Sequence, residues 1–223
     1  MSAALRLVLF DVDGTLVDSQ GSIVSAMTAS FEALTLPAPS HAATLSIVGL
    51  SLPQAMARLA PDRSAETQAR LVEGYKDAYH AQRLEQGAAS SPLYPGARAA
   101  IETLHSTPEI LLGVATGKSK RGLDALLEAH ALDRYFVTRQ VADHHPSKPH
   151  PSMIETALSE TGVDAKDAVM VGDTSFDMEM AAAAGVRSIG VSWGYHHPSA
   201  LTSATCVIDR FEDLPGTLAE IWE

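Results

Sequence analysis

Apolar positions along this chain fall into two rhythms. Near the start, Leu5-Arg-Leu-Val-Leu-Phe10 is a short apolar run ended by Asp11-Val-Asp-Gly-Thr15, the pattern of a buried strand entering a turn. From about Ser19 to Ser91 the period is helical: Ile23, Val24, Met27, Phe31 and Leu34, then Leu52, Ala55, Met56 and Leu59, then Leu71, Tyr75, Ala78 and Tyr79. Pro37, Pro39, Pro53 and Pro61 punctuate this stretch at helix boundaries, and Gly87-Ala-Ala-Ser-Ser-Pro92 reads as a hinge back to the main body. From Pro95 onward strands and helices alternate. Strands are predicted over Ile110–Ala115, Tyr135–Thr138, Ala168–Val171, Arg187–Val191 and Thr205–Ile208, and helices over Arg98–His105, Arg121–His130, Met153–Glu160, Met178–Ala184 and Leu214–Trp222. This alternation predicts an α/β fold, a Rossmann-like parallel sheet with helices on both faces, carrying an inserted all-helical domain. The core is then residues 1–18 and 92–223, and the insertion residues 19–91.

Composition narrows the class. The 223 residues suffice for a sizeable core, and 46% hydrophobic against 19% charged residues describes a globular chain. No window approaches the roughly 18 apolar residues of a membrane span, and the start runs into the first strand with no signal-peptide pattern, so a soluble, cytoplasmic protein is expected. Cys206, the one cysteine, sits in a strand-like Thr-Cys-Val-Ile setting and reads as structural. Lys and Arg number 16 against 27 Asp and Glu, a formal net charge of −11, with no basic stripe. That disfavours a nucleic-acid partner. If the substrate is anionic, a divalent metal or a few placed cations must offset the local field.

The chemistry-bearing residues cluster at strand ends, where ligands of open α/β sheets bind. Asp11 and Asp13 end the first strand, although Asp-x-Asp-Gly also closes strands as an ordinary polar turn. Thr116-Gly117-Lys118 follows the second strand, where a hydroxyl and backbone N–H groups can hold phosphate oxygens; Thr116 as a plain helix cap is the alternative. Lys148 is fixed between prolines in Ser147-Lys-Pro-His-Pro151. Asp173 ends a strand at Gly172-Asp173, with Asp177 one helical turn on, and N-capping by Asp173 explains only one of these acids. The Val48-Gly49-Leu50-Ser51 turn in the insertion is a candidate substrate contact, or simply a connection between helices. Arg58 is the cap cation best placed for a substrate carboxylate, or a solvent-facing helix residue. His150, two residues after Lys148, is close enough to line an entrance. The other loop histidines lack metal-ligand spacing. Trp193 and Tyr195 either pack structurally, flank the site or meet another subunit.

Taken in order, these clusters resemble the haloacid dehalogenase-like superfamily of phosphohydrolases over essentially the whole chain. Asp11-Val-Asp-Gly-Thr15 is similar to its first motif, Thr116 to its second, Lys148 to its third, and Gly172-Asp173 with Asp177 to its fourth; the helical insertion resembles the family's cap. Val48-Gly-Leu50, Leu93-Tyr-Pro-Gly96, Ser147-Lys-Pro-His-Pro151 and Gly190-Val-Ser-Trp-Gly194 resemble the phosphoglycolate phosphatase-like group. The resemblance implies a phosphatase acting on a small phosphorylated metabolite. Asp11 would be the nucleophile, forming an aspartyl-phosphate that water hydrolyses, and Asp13 the proton shuttle. Thr116 and the Gly117 N–H, beside Lys118, would bind the phosphoryl oxygens, and Lys148 would offset charge. Magnesium (Mg2+) would be held by Asp11, the Asp13 carbonyl and Asp173, with Asp177 orienting that shell. Asp13 argues against dehalogenation, because dehalogenases of the superfamily lack the second acid. A sugar-phosphate mutase or pyrophosphatase of the same superfamily is the enzymatic alternative, and a phospho-accepting receiver module the non-enzymatic one.

Overall fold

The computed structural model describes residues 4–223. Six strands, β1 (Arg6–Phe10), β2 (Ile110–Thr116), β3 (Phe136–Val141), β4 (Ala168–Gly172), β5 (Arg187–Val191) and β6 (Cys206–Ile208), form one parallel sheet in the order β3-β2-β1-β4-β5-β6. The order reverses at β1, so ligand-binding loops converge beyond its carboxyl end. That is where Asp11 lies.

The side chains of β1 alternate between two cores, as pleating requires. Val8 and Phe10 join Ile101, Leu123, Leu127, Leu214 and Leu218 on one face; Leu7 and Leu9 join Met153, Ile154, Ala157, Met180 and Ala181 on the other. The first face is covered by α5 (Ala97–His105), α6 (Lys120–Ala129) and α9 (Leu214–Trp222), the second by α7 (Ser152–Thr161) and α8 (Ser175–Ala183).

Between β1 and α5 the chain is helical: α1 (Gln20–Glu32), α2 (His41–Leu45), α3 (Leu52–Leu59) and α4 (Ala65–Gln86). Their apolar faces make a third core of Met27, Phe31, Ile47, Leu50, Met56 and Leu71, with Phe176 of α8 reaching into it. Pro53 lies in the first turn of α3, where a missing N–H costs nothing. The two connections to the sheet run side by side: Val17 bridges Leu93, and Asp18 N–H donates to the Pro92 carbonyl at 2.9 Å. No helix among the described residues is long and apolar enough to cross a membrane.

Candidate active site

Asp11 follows β1 directly, and its N–H donates to the Val171 carbonyl at 2.9 Å, extending the parallel ladder by one residue. Its side chain is buried, with Oδ1 accepting from Lys148 Nζ at 2.7 Å. Lys148 Nζ also donates to Asp177 Oδ1 at 2.6 Å. Lys148 reaches this depth from the loop before α7, and the lysine between two prolines is thus an internal counter-ion rather than a surface residue.

Asp173 occupies the adjoining position. Thr15 Oγ1 donates to its Oδ1 at 2.9 Å and the Tyr195 N–H to its Oδ2 at 2.8 Å. One carboxylate oxygen from each of Asp11, Asp173 and Asp177 lies within 4.8 Å of the others. Gly14 makes that approach possible. It has φ +88°, and a Cβ there would sit 2.2 Å from Asp173 Oδ2.

Asp177 joins the cluster by a route that differs from the expected one. The N-cap of α8 is Thr174, not Asp173. Its hydroxyl accepts from Asp177 N–H at 3.3 Å, while Asp177 Oδ2 accepts from Thr174 N–H at 3.1 Å and from Thr174 Oγ1 at 2.7 Å. Asp177 therefore both caps a helix and holds Lys148. The helix accordingly starts at Ser175, three residues before the predicted Met178.

Burial dominates the electrostatics of the cluster. It pushes Asp11 up to about 7, against Lys148 and helped by Asp177 and Asp13. Asp173 is raised well above the usual carboxylate range by burial, then by Asp11 and Asp177. Lys148 is raised by Asp11 and Asp177 despite its burial. Asp11 Oδ2 is buried without a hydrogen-bond partner among the described residues. Three buried carboxylates facing one lysine, all offering oxygen, with one oxygen unpartnered, fit a hard divalent cation such as magnesium.

The Asp13 side chain turns the other way. It accepts from Ser19 Oγ at 2.5 Å and from Lys118 Nζ at 2.8 and 2.9 Å. Ser19 is held in turn by the Tyr195 hydroxyl, which accepts from its N–H at 2.8 Å. Lys118 Nζ also donates to Tyr79 OH at 3.2 Å and lies 4.8 Å from that ring's centroid, so an α4 residue closes over the pair. The sequence reading did not find Ser19 or Tyr79 as site residues. Of its three possibilities for Tyr195, flanking the site is the one observed.

Thr116, Gly117 and Lys118 line a cavity of about 100 Å³ together with Asp11 and Asp13. Thr116 is not a helix cap: its Oγ1 accepts from Lys118 N–H at 3.2 Å, and Ser119 caps α6. The Val48-Gly49-Leu50 turn forms part of the opposite wall. It packs so closely that a Cβ on Gly117 would sit 2.6 Å from the Gly49 carbonyl oxygen. Ser51 N–H adds a bond to Ser147 Oγ at 2.9 Å. His150 is exposed and absent from the wall, its Nδ1 accepting from Ser152 N–H. Arg58 is also outside the cavity, its guanidinium 5.0 Å from the Phe176 ring centroid.

Comparison with known proteins adds homology to this geometry. The family model for haloacid dehalogenase-like hydrolases matches residues 8–191. Among curated relatives, the probable phosphatase IndB of Dickeya dadantii is 38% identical over 94% of this chain and 92% of its own length. A phosphoglycolate phosphatase of Yersinia pestis is 31% identical over 95% and 92%. Among solved structures, that of a predicted phosphatase from Clostridium acetobutylicum superimposes with a TM-score of 0.86 at 25% identity, covering 98% of this chain and 100% of the other.

Proposed function

This chain belongs to the haloacid dehalogenase-like hydrolase family and is a phosphatase, and we propose that it hydrolyses a small phosphate monoester, with magnesium bound, through an aspartyl-phosphate on Asp11. The observation that carries this reading is the Asp11 carboxylate itself. It stands at the sheet's switch point, one oxygen held by Lys148 and the other unpartnered at the edge of the cavity. The substrate is a phosphorylated metabolite of the cytoplasm, and residues 19–91 act as a cap over a core of residues 1–18 and 92–223.

In the first half-reaction an Asp11 oxygen bonds to phosphorus while the P–O bond to the alcohol breaks, and Asp13 gives its proton to the departing oxygen. In the second, a water oxygen attacks phosphorus, its proton returns to Asp13, and the Asp11 acyl phosphate is cleaved to free carboxylate and inorganic phosphate. Thr116 Oγ1 and the Gly117 N–H orient the phosphoryl oxygens, and Lys148 offsets the negative charge gathered on Asp11 and phosphate. Bound magnesium, held by Asp11, Asp173 and the Asp13 carbonyl, would neutralise the phosphoryl oxygens in transfer. Asp177 serves indirectly, because both of its oxygens are engaged by Lys148 and Thr174.

Asp11→Asn should reduce magnesium-dependent phosphate release from p-nitrophenyl phosphate to background while leaving the melting temperature within a few degrees of the parent or higher. Normal turnover in that variant would remove Asp11 as the nucleophile. Phosphate appearing as the product, rather than an isomerised sugar phosphate, separates this reading from a mutase.

A further inference from the structure

Beyond Asp13, Lys118 and the Tyr79 hydroxyl that accepts from Lys118, much of the cavity wall is apolar. Ile23 and Met27 of α1, Ile47, Leu52 of α3, and Tyr75 and Tyr79 of α4 form this part. The two tyrosine rings are stacked, with centroids 5.8 Å apart and an interplanar angle of 27°. We infer that this part of the cavity selects phosphomonoesters of uncharged alcohols carrying a ring-sized apolar group. The inference rests on the phosphatase reading above and gives that site its substrate class.

A short acidic leaving group such as glycolate would need a donor set close to the ester oxygen, since an unpaired carboxylate is costly to bury. The wall does not offer one. Lys118 is committed to Asp13 through both carboxylate oxygens, and Arg58 lies outside on Phe176. Four of the five backbone donors of the 47–51 turn are also engaged, the Gly49 N–H being the exception. The N–H groups of Ile47, Val48 and Leu50 bond within the turn, to Thr44, Leu45 and Ile47 carbonyls, and that of Ser51 bonds to Ser147 Oγ. Of the remaining basic side chains on the lining, Arg121 is exposed, while Lys76, His80 and Arg83 are half-buried and already bonded, Lys76 to Glu73 and Arg83 to His80 and the Arg121 carbonyl. Apolar walls and stacked rings, by contrast, match a flat or aliphatic ring without any polar partner.

The test is phosphate release by the full chain with magnesium from ethyl phosphate, benzyl phosphate and phosphoglycolate. Benzyl and ethyl esters both leave as primary alcohols, so their ratio reports the wall rather than leaving-group chemistry. Benzyl phosphate should show kcat/KM at least ~10-fold above both others, the gain expected for burying a side-chain-sized apolar group. Tyr75→Ala should lower the benzyl-to-ethyl ratio at least ~3-fold, and Leu52→Ala gives the same readout if the tyrosine variant does not fold. Equal rates on benzyl and ethyl phosphate, a preference for phosphoglycolate, or a ratio unmoved in both folded variants would overturn the inference and leave the phosphatase reading standing. No release from these three esters or from p-nitrophenyl phosphate would overturn the phosphatase reading and this inference with it.

Discussion

Lys148 is the residue on which the buried acids depend. Its ammonium is fully enclosed and bonds to both Asp11 and Asp177, so Lys148→Met would leave two carboxylates buried without a counter-charge. The expected cost is about 3–5 kcal/mol of stability in urea unfolding, together with loss of turnover. A destabilisation below ~1 kcal/mol would mean that the pair contributes little net energy. Asp11 makes a second prediction, in pH. Its folded-state value of about 7 lies above the ordinary carboxylate range, and Asp173 shifts in the same direction. Folding of the metal-free protein therefore takes up protons between the two values, and stability falls as pH rises from about 4 to about 7. Magnesium held by these carboxylates would compete with those protons, so adding it should raise the melting temperature more at pH 7.5 than at pH 5. A flatter metal-free profile in Asp11→Asn assigns the effect, and a profile unchanged in that variant would refute it. Asp11, Thr116 and Asp173 were legible because each ends or directly follows a strand at the end where an α/β sheet binds ligands, and Lys148 because two prolines fix it in a loop at that same end. Ser19, Tyr79 and Tyr195 carry no local signal of that kind. Ser19 lies six residues after Asp13 in the chain's exit from the turn, whereas Tyr79 reaches Lys118, and Tyr195 reaches Ser19, from segments distant in sequence, where only tertiary packing brings them.

Among the elements, α8 shows most clearly how helix signals and site chemistry share residues. The Ala-rich stretch after Met178 marks the helix in sequence, but its first turn is defined by Thr174 and Asp177 bonding reciprocally, and Asp177 looks instead like one of a pair of site acids. Both descriptions apply to the same carboxylate. Thr174→Ala should cost about 1–2 kcal/mol from the lost cap. It should also weaken phosphatase activity, because an Asp177 oxygen freed from Thr174 competes for Lys148. Loss of stability with kcat intact would confine Thr174 to a capping role. Five of the six strands were legible to within a residue, since apolar runs between Gly and polar turns have few alternative readings in an alternating chain; β3 runs three residues past the predicted Thr138, because Arg139 and Gln140 break the apolar pattern there. The short helix α2 had no periodic signal at five residues and was set by its Ser40 cap and by contact with α1.

At the scale of the whole molecule, a chain of formal charge −11 must admit a phosphate dianion to a site that already holds four buried carboxylates. Long-range repulsion works against that encounter, and the distribution of the few basic residues decides how strongly. Arg83 of α4 and Arg121 of α6 meet at the cavity, Arg83 Nη1 reaching the Arg121 carbonyl oxygen at 3.5 Å, and Lys76 lies about two helical turns before Arg83 on the same lining. Helices α4 and α6 thus each supply an arginine to the cavity lining. An incoming dianion meets these charges before the carboxylates. Screening over roughly 8 Å at physiological ionic strength should remove most of this attraction. Reversing both charges, Arg83→Glu with Arg121→Glu, should raise KM about 10-fold at 20 mM salt with a smaller change in kcat, and the gap to the parent enzyme should narrow as salt rises to 0.5 M. Parallel salt profiles for the two proteins would show that the arginines are ordinary solvated charges and that the dianion is attracted only once it reaches Lys118 and Lys148.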